Sequence, residues 1–234
     1  MNKKLIVLAV CAALIVPIAS QAAPARRGPY VSGFIGVSGP TESDATTTDF
    51  TLTAPRSFHE RVKYDPSINI GGTGGFDFGM VRVEGELSYK QGEISSLTSQ
   101  DLTTGTTSQI IDTDGRIGAF AMMFNTFLDF HNYSLITPYI GGGIGVAFLH
   151  LDDTFGTNVS ATPVTRGVVY FHDDASVFAY QVGAGFDIAI NPRLSLDLAY
   201  RYFGTETAHF NSTPIVTSMK FESHNGSVGI RVKF

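Results

Sequence analysis

The sequence predicts an all-β protein: an eight-stranded antiparallel up-and-down transmembrane β-barrel with four long extracellular loops and three short periplasmic turns. Three observations support this fold. Apolar and polar residues alternate in eight segments, as expected for strands with two unlike faces. Short and long connections alternate between these segments, which is typical of bacterial outer-membrane barrels. The chain also opens with a segment that resembles an export signal.

The N-terminal segment has the features of a secretory signal peptide. Two lysines precede an uncharged apolar run at 5–19, and this run is shorter than the ~20 residues of a membrane-spanning helix. Ser20 and Ala22 are small residues at the −3 and −1 positions of a cleavage site. The sequence therefore predicts cleavage between Ala22 and Ala23, with a signal peptide at 1–22 and an outer-membrane barrel domain at 23–234.

The composition excludes several kinds of partner and chemistry. Without Lys3 and Lys4, 14 basic residues remain against 21 acidic residues, a net charge of −7. Such a charge disfavours nucleic acid as a partner. The only cysteine, Cys11, leaves with the signal peptide, so the mature chain is expected to have no disulfide and no thiol chemistry.

The elements follow one another in a regular order. Eight strands are predicted, at 30–37, 67–79, 81–90, 116–127, 137–149, 177–188, 194–203 and 227–234. Short turns are predicted around residue 79, at 129–135 and at 189–193. The long connections at 39–65, 91–115, 150–176 and 204–219 are rich in Thr, Ser, Asp and Gly, and we expect them to be polar, mobile and extracellular.

The strand at 81–90, VRVEGELSYK, indicates which face of the sheet meets lipid. Its apolar residues alternate with Arg82, Glu84, Glu86 and Lys90. In the other strands the phase opposite the large apolar residues contains many glycines and alanines, which fit the crowded inside of a small barrel. We therefore expect the apolar phase to face lipid. A slip of one residue would turn all four charges into the bilayer, where a basic residue costs roughly 2–4 kcal/mol.

The inward phase predicts a network of charges in the lumen. An eight-stranded barrel leaves room for side chains rather than for an aqueous channel, so balanced charges are expected to pair there. A proton or ion path is the alternative interpretation. The predicted network consists of Asp77, Arg82, Glu84, Glu86, Asp187, Asp197, Arg201 and Arg231, with Lys90, Gln181 and Lys233 in the same phase.

Aromatic residues fall near the predicted strand ends, where girdles meet the membrane interfaces. Ordinary β-propensity would explain them equally well. The positions are Tyr30, Phe78, Tyr89, Phe130, Tyr139, Tyr200, Tyr202 and Phe234.

Four segments resemble a known group of proteins. They are FDFGMVRVEGELSYK, TPYIGGGIGVA, YQVGAGFDIAINPRLSLDLAYRYF and SVGIRVKF. Together they resemble the eight-stranded outer-membrane barrels of the Opa-like and surface-antigen group, relatives of the OmpA and OmpX barrels. The resemblance implies a closed barrel with a periplasmic N-terminus. It also implies an assembly signal read by the outer-membrane assembly machinery, at Val228, Ile230, Val232 and Phe234.

The sequence contains few motifs that indicate catalysis or ligand binding. The runs GGTGG and GGGIG continue as strands, so they lack the helix that a phosphate loop requires. HLDD (150–153) and HDD (172–174) stand at opposite ends of one connection and could approach each other to hold a cation. A solvated acidic loop is the alternative. His224 is the best candidate for the base of a lipid-modifying enzyme, but we find no serine at the matching height and phase.

The expected function is that of a non-enzymatic outer-membrane barrel with a structural role in the envelope and with loops for interaction or adhesion. The alternatives are a small channel or transporter, and a lipid A-modifying hydrolase or acyltransferase. No cofactor is expected. The expected partners are outer-membrane lipids and lipopolysaccharide, the assembly machinery and an extracellular ligand.

Overall fold

The computed structural model describes residues 27–50, 54–132, 134–211 and 214–234, which form fourteen antiparallel β-strands. Within these ranges no helix is long and apolar enough to cross a membrane. The predicted signal peptide and its cleavage site at Ala22 and Ala23 lie outside the described residues.

Eight strands close into a ring, which confirms the predicted fold class. Each of these eight strands pairs with the next one along the chain, and β14 pairs with β1 to close the barrel. The strands are β1 (Gly28–Pro40), β3 (Arg56–Asp77), β4 (Val81–Asp101), β6 (Arg116–Asp129), β7 (Ile136–Leu151), β10 (Asp173–Ala189), β11 (Leu194–Thr205) and β14 (Glu222–Lys233).

Six shorter strands continue the ring on its extracellular side. They lie in the four long connections, which we name L1 (41–55), L2 (102–115), L3 (152–172) and L4 (206–221). The strands are β2 (Ser43–Asp49) in L1, β5 (Thr107–Ile111) in L2, β8 (Thr154–Asn158) and β9 (Thr165–Tyr170) in L3, and β12 (Ala208–Phe210) and β13 (Ile215–Met219) in L4.

The extension of the barrel is closed almost all the way round. The pairs β12–β13, β13–β2, β2–β3, β3–β4, β4–β5, β5–β8 and β8–β9 follow one another. Within the described ranges, β9 and β12 each have a partner strand on one edge only. The β-structure therefore extends well into the segments 39–65, 91–115, 150–176 and 204–219, which the sequence predicts as polar connections.

The strands end at a tight turn on the periplasmic side between β3 and β4. Gly79 has φ +104°, a conformation that glycine adopts without steric cost. Its N–H donates to Asp77 Oδ1 at 2.8 Å. This bond fixes the register with which β4 leaves the turn.

The outer surface of the ring is apolar, as the alternation predicted. Leu87 is 51 % exposed, while its neighbours Glu86 and Ser88 are 2 % exposed. The same contrast runs along β6, where Phe124 is exposed and Asn125 is fully buried. An apolar outer band with polar groups inside is the arrangement of a barrel that crosses a bilayer.

Candidate functional site

The interior of the barrel within the membrane holds paired charges in two groups. In the middle group, Arg201 forms an ion pair with Glu86 and reaches Glu84 at 3.5 Å. Lys90 lies 3.8 Å from Glu86, and the side-chain amide of Gln181 donates to the same carboxylate at 2.9 Å. A buried charge without a partner is costly, so these contacts stabilise the packed interior.

The second group lies at the periplasmic end. Arg231 bridges two carboxylates, Asp187 and Asp197, and its Nη2 atom lies 2.5 Å from Asp197 Oδ2. Lys233 reaches Asp77 at 3.1 Å and Asp187 at 3.9 Å. The structure therefore brings Asp77, Asp187, Asp197 and Arg231 together at one end of the lumen, with a second cation from the last strand.

Arg82 has a partner outside the predicted network. Its guanidinium lies 3.3 Å from Asp129 Oδ1, and both side chains are buried. Phe127 and Tyr139 face the same guanidinium at 5.0 and 4.6 Å from their ring centroids, within the range of cation–π attraction. Asp129 belongs to the inward phase of β6, but it was assigned to a turn because the predicted strand ended at residue 127.

Two tyrosines that were predicted for the aromatic girdle lie inside the barrel instead. Tyr30 and Tyr139 are 2 % and 3 % exposed. Their hydroxyls donate to Glu84 at 2.7 Å and to Asp197 at 2.8 Å, contacts that a lipid-facing position would not provide. The other predicted girdle residues have different surroundings: Phe78, Tyr89, Phe130, Tyr200 and Phe234 are exposed, and Tyr202 is half-buried.

Above Lys90 the interior changes from charged to apolar. We name this part of the barrel the cap. Each of its main side chains is at most 4 % exposed, so the layer is closely packed. The cap includes Ala45, Val62, Ile94, Leu97, Ile117, Leu149, Leu151, Tyr170, Phe203, Phe210, Met219 and Phe221.

One carboxylate, Glu60, is buried at the top of the cap. Its Oε2 atom accepts hydrogen bonds from Tyr170 and Thr47, both at 2.8 Å, and its Oε1 atom accepts one from Ser99 at 3.3 Å. Burial raises the pKa of Glu60 above its usual 4.5, against the opposing effect of these hydroxyl donors. Burial also raises the pKa of Tyr170, next to the Glu60 carboxylate.

The extracellular connections differ in their outward faces. Beside L1, Arg61 of β3 pairs with Asp44 at 3.5 Å, and Lys63 pairs with Glu42 at 3.7 Å. In L3 several apolar side chains are exposed, beside an exposed ion pair between Arg166 of β9 and Asp114 at 3.1 Å. Phe155 and Val168 stand opposite each other on β8 and β9 and are 42 % and 45 % exposed. Three further apolar side chains of L3 are exposed as well: Val159, Val164 and Phe171.

The two acidic motifs of the third connection do approach each other. His150 Nδ1 lies 2.5 Å from Asp174 Oδ1, and its Nε2 lies 3.2 Å from Asp152 Oδ1. The bond to Asp174 raises the pKa of His150. In the described part of the chain, no cluster of three or more histidine, cysteine or carboxylate side chains has a geometry that could hold a metal ion. The arrangement is a histidine between two carboxylates.

His224 lies on the outer face of β14, where the candidate base of an enzyme was placed. Its register neighbours are Tyr202 on β11 and Gly39 on β1. Its Nδ1 atom is 2.6 Å from the hydroxyl of Tyr200, whose ring stacks on the imidazole. The contact partner is thus a phenol rather than the serine that acyl chemistry would need.

The residues of the predicted assembly signal form the outer face of the last strand. Val228, Ile230 and Val232 are 42 %, 54 % and 36 % exposed, and Phe234 is 62 % exposed. The backbone N–H of Phe234 donates to Pro29 O at 3.0 Å, which joins the C-terminal residue to the start of β1.

The closed ring, its apolar outer band and its ion-paired lumen define an eight-stranded β-barrel of the outer membrane. The chain matches the outer membrane protein beta-barrel domain family over residues 8–234 and belongs to that family. This confirms the resemblance to the OmpA and OmpX type of barrel, and places the protein in the outer membrane of a Gram-negative cell.

Known proteins are similar over most of their length. Outer membrane protein PagN of Salmonella typhimurium is 26% identical over 204 residues, which are 83% of this chain and 81% of PagN. The structure of OprG from Pseudomonas aeruginosa matches 92% of this chain and 99% of its own, with a TM-score of 0.50 and 14% identity. Neisserial surface protein A matches 88% of this chain and 97% of its own, with a TM-score of 0.45 and 16% identity.

Proposed function

We propose that this barrel is a non-enzymatic interaction protein whose L3 connection contacts an extracellular protein. The observation that carries the proposal is the outward face of L3. Phe155, Val164, Val168 and Phe171 are exposed above the membrane, whereas the corresponding face beside L1 is charged. Phe155 and Val168 are neighbours in the β8–β9 register, and exposed apolar side chains that lie together on a wetted surface are typical of interaction sites.

The backbone of L3 supports the same proposal. In the described ranges β9 pairs with β8 on one edge and with no strand on the other. The N–H and C=O groups along an open edge can add a strand from another polypeptide, and alternate side chains then set specificity. An apolar face next to an open edge therefore fits an extended protein segment.

The interior argues against the channel alternative. A polar lumen continues up to Lys90, but the cap above it is filled with buried apolar side chains. An ion would have to cross this layer without a polar partner, which is costly. The paired charges of the lumen, including Asp77 and Arg231, accordingly act as a structural filling.

The outer surface provides the remaining contacts. We propose that the apolar band binds outer-membrane lipids and lipopolysaccharide, and that Val228, Ile230, Val232 and Phe234 form the signal for the assembly machinery. Their side chains share the outward face of β14, so a single surface can contact all four. The contact of His224 with a phenol supports a role for this histidine in the interface rather than in lipid hydrolysis.

The test is a binding assay with the barrel reconstituted in lipid nanodiscs. The probes are cultured epithelial cells and a panel of immobilised extracellular-matrix proteins. The double variant Phe155→Ser with Val168→Ser is expected to reduce binding by tenfold or more, since central apolar contacts dominate most interfaces. The matched control, Arg61→Ser with Lys63→Ser, changes the face beside L1 and should bind like the wild type.

Three results would contradict the proposal. Loss of binding in the control but not in the L3 variant would assign the contact to the charged face. Unitary conductance of the purified barrel in planar bilayers would favour a channel. A changed lipid A mass after expression would favour an enzyme. Heat-modifiable gel mobility verifies that each variant is folded.

A further inference from the structure

The Glu60 carboxylate contacts three of the strands that form the top of the cap. Thr47 donates from β2 in L1, Ser99 from β4 and Tyr170 from β9 in L3. Thr47 also bonds to Thr217 of β13 in L4, at 3.1 Å. A single acidic side chain thus joins L1, L3 and L4 to the two longest strands of the barrel.

The partners of Glu60 are all hydroxyl groups. None of the ion pairs within the described residues involves Glu60, although the carboxylates of the lumen below are each paired with a cation. Its side chain lies above an apolar layer and is 5 % exposed. A carboxyl group in such surroundings is stabilised in its neutral form, because hydroxyls compensate only partly for lost hydration.

Other titratable and charged groups lie around it. Tyr170 and Tyr64 face the same layer, and burial raises the pKa of Tyr64 to about 12, so both remain neutral near physiological pH. Asp101 of β4 is the next inward acid, and it pairs with Arg56 at 3.6 Å. His59, on the outward face of β3, lies 3.8 Å from Asp44.

We propose that Glu60 is a pH-dependent latch: when its carboxyl group is protonated it holds L3 closed on the cap, and when it is ionised it loosens L3. Tyr170 is the contact through which L3 is held. Opening exposes the underside of L3, including Val169, together with the apolar layer beneath it.

The direction of the pH dependence follows from the linkage between proton binding to Glu60 and closure of the cap. The pKa of Glu60 in the closed cap is raised above the value of 4.5 for an exposed glutamate. The closed form therefore binds the proton more tightly than the open form. Closure is strongest below pH 4.5 and weakens as the pH rises through the raised pKa of the closed form.

Hydrogen exchange of the whole barrel in lipid nanodiscs tests the latch. The readout is the exchange rate of the β9 amides between pH 4.5 and 8, corrected for the intrinsic pH dependence of amide exchange. The strand segment 179–189 of β10 is the internal reference, since it lies in the membrane. In the wild type, β9 exchange relative to this reference should rise severalfold with pH.

Two variants and a control separate the latch from a merely structural contact. Glu60→Gln removes the titration and keeps the size, so β9 protection should become independent of pH. Tyr170→Phe removes the donor hydroxyl and keeps the ring, so β9 should exchange faster even at pH 4.5. Glu93→Gln removes an exposed acid of β4, which pairs with Arg116 at 3.9 Å, and should behave like the wild type.

The latch is overturned if β9 exchange in the wild type does not change with pH, or if it changes equally in Glu60→Gln. Should Glu60→Gln fail to fold, Tyr170→Phe decides the question. The latch requires it to open β9 more than β2, whereas a general loss of stability would affect both strands alike.

Discussion

The lower and upper parts of the barrel interior are built from the same strands but filled in opposite ways. Below Lys90 the lumen holds ion pairs such as Arg201 with Glu86; above it the cap packs Leu97, Leu149 and Phe221. The surroundings explain the change. Within the membrane the outside is already apolar, and polar side chains can fill the lumen if they are paired. Above the membrane the outside is wet, and the hydrophobic effect drives apolar side chains inward.

The largest loss of stability is expected from a variant that removes a cation from the lower part of the barrel interior. Arg201→Met removes the cation that faces Glu84 and Glu86, which leaves Lys90 as the remaining cation beside these two buried carboxylates. Removal of one partner from a buried ion pair costs about 3–5 kcal/mol. Urea unfolding in lipid vesicles measures the loss. The control Arg61→Met breaks an exposed pair with Asp44 and should cost less than about 1 kcal/mol. Equal losses would mean that the lumen is well hydrated.

The corresponding change in the cap is Leu97→Ala. A buried leucine replaced by alanine costs about 2–5 kcal/mol, and we expect the cap to open locally while the membrane part remains closed. Hydrogen exchange should increase in β9 and in the upper part of β4, but not in the segment 179–189. The matched control is Leu87→Ala on the same strand, where the side chain faces lipid and is 51 % exposed. A uniform loss of protection would show that the two regions unfold as one unit.

The third prediction tests which face of the lower region meets lipid. Val83 is half-buried and lies on β4 opposite Thr126. Val83→Arg places a charge at the lipid surface, at a cost of roughly 2–4 kcal/mol near the midplane. Val83→Leu should be nearly silent. Heat-modifiable gel mobility and urea unfolding compare the two variants, and the reverse ranking would place Val83 in a crowded interior.

The smallest effect on stability is expected from the titration of His150, at the surface where the two regions meet. His150 lies between Asp152 and Asp174, and the bond to Asp174 raises its pKa. A histidine whose pKa is raised on folding stabilises the folded form below its ordinary pKa of about 6.5, and this contribution is lost as the pH rises through the raised value. Because the site is half-exposed and screened, we expect about 0.2–1 kcal/mol.

This contribution can be separated from the Glu60 latch. In a Glu60→Gln background, the remaining pH dependence of exchange at the top of β10 should disappear on His150→Gln. A pH dependence that persists in the double variant would show that another group titrates there.

The sequence predicts the part of the molecule that the membrane surrounds. Alternation in VRVEGELSYK placed Arg82, Glu84 and Glu86 on the side opposite the apolar residues, and those three side chains are buried inside. It did not predict that β4 continues to Asp101. Beyond the membrane the apolar residues change sides: Leu87 faces outward, whereas Ile94 and Leu97 face inward. The reversal removes the pattern that marks the strand.

An irregularity in the ladder hides the extension further. The register between β3 and β4 shifts at Lys63/Tyr64, so that Ile94 and Leu97 face the same side although they are three residues apart. Strict alternation cannot detect a strand across such a bulge. The sequence does not reveal Glu60 either, because its segment is polar and its hydroxyl partners come from strands that are distant in sequence.

The pairing of β1 with β14 has a consequence for the synthesis of the protein. Tyr30 is paired with Lys233, so the two strands that close the sheet are far apart in the sequence. Neighbouring hairpins such as β3–β4 can form early, but the barrel cannot close until β14 has been synthesised. Contacts between such distant residues form slowly. During that interval the unpaired strand edges and the apolar outer face are exposed to water. We therefore expect this protein to depend on a chaperone that shields them, more than a protein built from local strand pairs does.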